Sequence, residues 1–292
     1  MTVVPERPAG FSWALRARRS RGVVGGFAPA MGFTLVYLSL IILIPLAALA
    51  LRPWESGWDG VWRTVSDPRV LASLKLSFGA ALLAAAVNLP AGLVIAWVLV
   101  RERFIGKRLL DAAVDLPFAL PTAVAGIALS ALYAPNGWIG HLVAPLGIKI
   151  AYTPVGVFVA MLFVGLPFTV RQVQPVLEDL DQEVEEAALL LGAGAAKRFA
   201  TVILPALTPA LITGFALAFA RGVGEYGSVI FLAGNMPYKS EIAPLLIITK
   251  LEQYDYAGAA AVGLAMLLIS LLALFVINAV QLRTARRGMQ VA

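Results

Sequence analysis

Glu178-Asp179-Leu180-Asp181-Gln182-Glu183-Val184-Glu185-Glu186-Ala187-Ala188-Leu189-Leu190-Leu191-Gly192-Ala193-Gly194-Ala195-Ala196-Lys197-Arg198-Phe199-Ala200-Thr201-Val202-Ile203-Leu204-Pro205 is the stretch on which the reading of this chain turns. Acids gather at its front, where they complement a helix N-terminus. Alanines and leucines follow, all good helix formers. Gly192 and Gly194 then offer a turn. Lys197 and Arg198 open a second short helical run that ends at Pro205. The pattern predicts a short helix, a turn and another short helix, a knob lying outside lipid.

Working outward, the flanks are apolar enough to cross a membrane. Hydrophobic residues make up 60% of the 292 residues and charged ones only 14%, with a mean hydropathy of +0.85. A soluble domain is roughly half apolar and about a quarter charged, so lipid must be the solvent for much of this chain. The net charge of +6 does not indicate nucleic acid, because the cations sit in short clusters between apolar runs, as in membrane-protein loops. With no cysteine and a single histidine, His141, thiol chemistry and a histidine-rich metal site are excluded.

A crossing helix needs about 20 apolar residues. Six segments qualify, at Pro29–Leu51, Val70–Val100, Leu109–Ala134, Val155–Leu177, Pro205–Gly234 and Ala257–Gln281. The second is 31 residues long, about 46 Å, so its start near Ser73 and Lys75 is expected to project or tilt. Residues 1–28 and 283–292 are read as tails, and 178–205 as the knob. Lys and Arg are denser in both tails and the even-numbered loops, which places both termini in the cytoplasm. The three arginines of the first loop, Arg52, Arg63 and Arg69, dilute that contrast. Ala48-Leu49-Ala50 imitates a signal cleavage site, but the run before it is long and reads as a retained span. Prolines inside the segments (Pro45, Pro90, Pro117, Pro121, Pro167, Pro209) are read as kinks.

Glu186-Ala187-Ala188, three residues, Gly192, nine residues and Val202-Ile203-Leu204-Pro205 resembles the "EAA" loop of ABC importer permeases, with Val202 where isoleucine is usual. The resemblance implies an all-α membrane protein of six transmembrane helices, MetI-like, whose knob is a cytoplasmic coupling helix seated on an ATPase subunit. It places Glu186, Ala187, Ala188 and Gly192 at that interface, with Leu204 and Pro205 closing the motif. ATP and Mg would be bound by the partner ATPase and none by this chain. The only Gly-Lys pair here, Gly106-Lys107, has Arg101 where a phosphate loop needs glycine and Arg108 where it needs Ser or Thr.

In the fifth segment Arg221 and Glu225 are charges four apart on one helix face. Charge within a bilayer marks a pathway or a partner, and an internal ion pair is the alternative. Asn88, Thr122 and Asn278 are further polar groups at depth, read as packing contacts. The stretches from Arg221 through Gly224-Glu225-Tyr226-Gly227-Ser228, from Leu251 to Tyr256, and from Asp115 to Gly126 resemble permeases of sulfate/thiosulfate importers of the CysT type. That resemblance implies import of sulfate or thiosulfate by alternating access, with two ATPase subunits, a second homologous permease, a periplasmic binding protein and an inner-membrane location. Arg221, Glu225 and Ser228 are the candidate pathway residues. Molybdate or tungstate would suit Arg221 equally. The readings from other classes are an ion-coupled secondary transporter, for which no half-to-half repeat is visible, and an intramembrane enzyme using Glu225, Asp111 and Asp115.

Overall fold

The computed structural model describes residues 27–288, with side chains described over 29–282. The expected N-terminal tail therefore lies outside the described residues up to Gly26. Of the expected C-terminal tail, residues 283–288 continue the last helix and 289–292 lie outside. Every described element is helical. Five stretches are long and apolar enough to cross a membrane, beginning at Pro29, Pro68, Pro154, Ala195 and Tyr256. By contacts the chain divides into two units, residues 1–48 and 49–292.

The first unit holds α1 (Phe27–Leu38), a π turn (Ser39–Leu43) and most of α2 (Ile44–Leu51). The π turn has a local cause. Pro45 has no N–H to give the Ile41 carbonyl, and its ring crowds the preceding turn, so the backbone widens by one residue.

The second unit opens with a 3₁₀ turn (Arg52–Ser56) and α3 (Gly57–Ser66), where sequence reading expected only a loop. Trp54, Trp58 and Trp62 recur every four residues and share one face, so α3 is amphipathic. Asp67 then caps α4 (Pro68–Arg101) by accepting the Arg69 N–H at 2.7 Å.

The core is α4 packed on α9 (Pro154–Glu178) and α12 (Leu204–Val223). In lipid the hydrophobic effect does not drive helices together, so close backbone approach must supply the contact energy. Ala80, Ala81, Ala84 and Ala85 of α4 are buried there, where their small size lets the backbones approach. The approach is tight enough that a Cβ on Gly92 would meet the Thr169 side chain at 2.7 Å, and one on Gly214 the Thr169 Cα at 2.9 Å. Asn88, fully buried, donates to the Leu162 carbonyl of α9 at 3.1 Å.

Two expected crossings are not single helices. The segment 109–134 is divided into α5 (Lys107–Val114), α6 (Leu116–Ala119) and α7 (Thr122–Tyr133). Pro117 and Pro121 lie four apart, so two helical donors one turn apart are missing, and Leu120 takes the extended conformation that a following proline favours. The segment 205–234 ends as α12 at Val223 and resumes as α13 (Gly227–Leu232) after a short break. The remaining helices are α8 (Trp138–Val143), α10 (Gln182–Leu190), α11 (Ala195–Arg198), α14 (Ala243–Glu252) and α15 (Tyr256–Gly288). Sequence reading ended the last helix at Gln281. It runs on because no helix breaker intervenes before Gly288.

Candidate functional site

Two regions hold the residues singled out by sequence. The first is the knob, at the end of the unit where α4 finishes; the opposite end is called the far face below. The Asp181 carboxylate accepts the Glu183 N–H at 2.9 Å and starts α10. The helix closes in a Schellman turn. Gly192 at φ +81° donates to the Leu189 carbonyl at 2.9 Å, and the Ala193 N–H reaches Ala188 at 3.0 Å. α11 follows at once. A second π turn, Phe199–Ile203, leads into Leu204-Pro205, repeating the arrangement before Pro45. The structure thus places Leu204 and Pro205 at the start of α12, at the base of the knob.

Glu186, Ala187 and Gly192 are exposed, and Ala188 is half-buried. No ion pair among the described residues involves Glu186. Its neighbour Glu185 is different: it pairs with Arg101 at the end of α4, and Arg198 Nε stands 3.8 Å from its other oxygen. Sequence reading overlooked Glu185, because Arg101 lies 84 residues away. It also treated Leu189, Leu190 and Leu191 only as helix formers. They are 56%, 88% and 89% exposed, an apolar tip beside an unpaired acid. Together they form a bare apolar patch at the tip of the knob.

The second region is the break after α12. Arg221 pairs with Glu225, and Glu225, only 1% exposed, also accepts the Ser228 N–H and Oγ–H at 2.9 Å each. The three candidate pathway residues therefore form one network. One carboxylate neutralises the arginine and accepts an N–H from the first turn of α13, so one donor freed by the break is satisfied internally. α13 is held closely by α7: a Cβ on Gly126 would lie 2.6 Å from the Ser228 carbonyl oxygen, and Gly227 is pressed on Thr122. The Tyr152 N–H donates to the Leu232 carbonyl at 2.7 Å and fixes the other end of α13.

The other acids proposed for an enzymatic role are engaged as well. Asp111 and Asp115 both hold Arg171 of α9, each with an N–O distance of 2.6 Å, which ties the broken α5–α6 segment to the core. At the start of α15, Asp255 accepts the Gly258 N–H at 2.9 Å and pairs with Lys250 at 2.8 Å. The hydrogen bond to Lys250, above all, holds the Asp255 carboxyl below the usual carboxylate range.

Residues 88–287 match the family described as "Binding-protein-dependent transport system inner membrane component". The chain is 48% identical over 268 residues to "Sulfate transport system permease protein CysT" of Salmonella typhimurium, covering 92% of this chain and 97% of that one. It is 51% identical over 248 residues to "Probable sulfate transport system permease protein cysT" of Chlorokybus atmophyticus, covering 85% and 87%. Among solved structures, a bacterial ABC transporter involved in import of the acidic polysaccharide alginate superposes with a TM-score of 0.73 at 14% identity, over 88% of this chain and 94% of that one. At that identity the likeness concerns the fold alone.

Proposed function

This chain belongs to the family of binding-protein-dependent transport system inner membrane components, and from that premise we propose that it is a transmembrane subunit of an ATP-driven importer of sulfate or thiosulfate. The substrate class rests on the names of relatives near 50% identity, matched along most of their length. Arg221, a cation at depth with planar paired donors, suits a tetrahedral dianion.

In this reading two ATPase subunits bind ATP and Mg, and a second homologous permease completes the membrane portion. A periplasmic protein delivers the anion, and both termini of this chain face the cytoplasm. The observation that carries the proposal is the knob: an exposed leucine tip and an unpaired Glu186 on a helix whose neighbouring Glu185 is anchored inward. That is a surface built to be covered by a partner with an apolar groove and a cation. Movement of the knob, driven by ATP, would alternate access to the segment that carries Arg221, Glu225 and Ser228.

The test is co-purification of this chain with an ATPase, followed by reconstitution with its binding protein. Sulfate-loaded binding protein is expected to stimulate ATP hydrolysis, and molybdate-loaded protein to leave it at the basal rate. Absence of any associated ATPase would overturn the importer reading. Equal stimulation by both anions would overturn the substrate.

A further inference from the structure

α4 ends in an arginine clamp on both faces of the unit. At the knob, Arg101 holds Glu185 of α10. The same guanidinium lies over the Trp97 ring, 5.6 Å from its centroid, and Trp97 meets Phe199 of the π turn edge-on at 6.0 Å. The end of α4 is thus fastened to both helical pieces of the knob. On the far face, Arg69 grips Glu241 with two parallel bonds, Nε to Oε2 and Nη2 to Oε1, each 2.7 Å. Two parallel N–H···O bonds fix direction as well as distance. Glu241 is buried, and close by the Ser77 hydroxyl of α4 accepts the Ala243 N–H at 2.8 Å. Glu241 lies in the loop after α13 and Ala243 opens α14, and α13 is the helix whose Ser228 N–H Glu225 accepts.

Between these clamps α4 is a helix of 34 residues, about 51 Å long. Pro90 leaves the Ala86 carbonyl without its helical donor but does not end the helix. Its alanine face is wedged into α9 and α12, and the helix is continuous from one clamp to the other. The knob clamp also has a second arrangement within reach. Arg101 Nε and Arg198 Nε are both buried without a hydrogen-bond partner, and the two guanidiniums flank the single Glu185 carboxylate. Arg198 is thus placed to take the carboxylate should α10 shift.

We propose that α4 is the rod that carries movement of the knob to the loop behind α13, and that Glu185–Arg101 and Arg69–Glu241 are its two couplings. The proposal rests on the importer reading above. The four side chains are positioning residues; none is assigned contact with the anion or with ATP. A clamp that only held the fold together would, when cut, lower the yield of assembled complex and leave its coupling ratio intact.

The experiment uses the whole transporter in proteoliposomes and reads sulfate moved per ATP hydrolysed. Glu185→Gln and Glu241→Gln are each expected to lower that ratio roughly fivefold or more, at the low end of measured coupling effects. Because the clamps act in series, the double variant is expected to fall no further than the worse single one. Wild-type ratios in assembled single variants, or a double variant whose loss is the product of the two, overturn the rod. A second readout needs no substrate. Adding ATP is expected to change hydrogen exchange over residues 233–242, and Glu185→Gln to abolish that change. A response that persists in the variant overturns the rod, whereas a wild-type complex that moves no sulfate overturns only the importer reading.

Discussion

The knob and the Arg221–Ser228 segment are both helices interrupted near a glycine beside a carboxylate, yet they treat their polar groups in opposite ways. In the knob the interruption stands outside the apolar spans. Gly192 closes a turn that nothing crowds, Glu186 pairs with none of the described residues, and the leucine tip is bare. In the deeper break the acid is spent internally: Glu225 serves Arg221, the Ser228 N–H and the Ser228 hydroxyl at once. Water can satisfy a broken backbone at a surface, whereas lipid cannot. A break at depth therefore has to be complete in itself, and one outside can leave its groups for a partner.

The largest test of this contrast is Glu225→Ala. It leaves Arg221 partly buried without its counter-charge and removes the cap of α13, and should cost about 3–5 kcal/mol. Thermal unfolding of the purified protein in detergent reads this. Glu186→Ala in the same assay should stay within about 0.5 kcal/mol, as for a surface site. Equal losses at the two sites would break the comparison.

Next in size is Gly126→Ala. The added methyl meets the Ser228 carbonyl oxygen and Cα, at 2.6 and 2.8 Å, both rigid backbone. Overpacking of this kind costs roughly 1–3 kcal/mol. Gly192→Ala meets no atom, so its loss comes only from the left-handed backbone, about 1 kcal/mol. Gly194→Ala, with space around it and negative φ, serves as the matched control.

The smallest effect concerns Asp255 at the head of α15. Its folded pKa is lowered, so its pairing with Lys250 stabilises fully above the unfolded carboxylate value and is lost as pH falls through the folded one. Asp255→Asn keeps an N-cap and removes the charge. The gap in thermal stability between wild type and variant should be under about 1 kcal/mol at neutral pH, because the group is partly exposed. It should begin to shrink at about pH 4, the unfolded carboxylate value, and close as pH falls through the lower folded one.

Much of the knob was legible because its signals are local: Asp181 as cap, the alanine-leucine run, and Gly192 four residues beyond Ala188. The breaks were not, because hydropathy records how apolar a segment is and not whether its backbone is continuous. Proline alone does not decide it either. Pro90, Pro167 and Pro209 sit inside unbroken helices, whereas Pro117 opens the four-residue α6 and Pro121, one turn on, stands in the break before α7. The arginine clamps were out of reach for another reason. Arg69 and Glu241 are 172 residues apart, and nothing local ties a cation to an acid at that range. The pairing of Arg221 with Glu225, by contrast, follows from their spacing on one helix.

The central claim is that the bare tip of the knob is the surface that meets the ATPase, and the chain's lack of cysteine makes this directly measurable. A single cysteine at Leu190 and another at Leu142, 72% exposed on α8 at the far face, would be compared in the purified complex. A short bifunctional crosslinker should join Leu190→Cys to the ATPase subunit and leave Leu142→Cys unjoined. No product at Leu190→Cys, or equal product at both sites, would contradict the account.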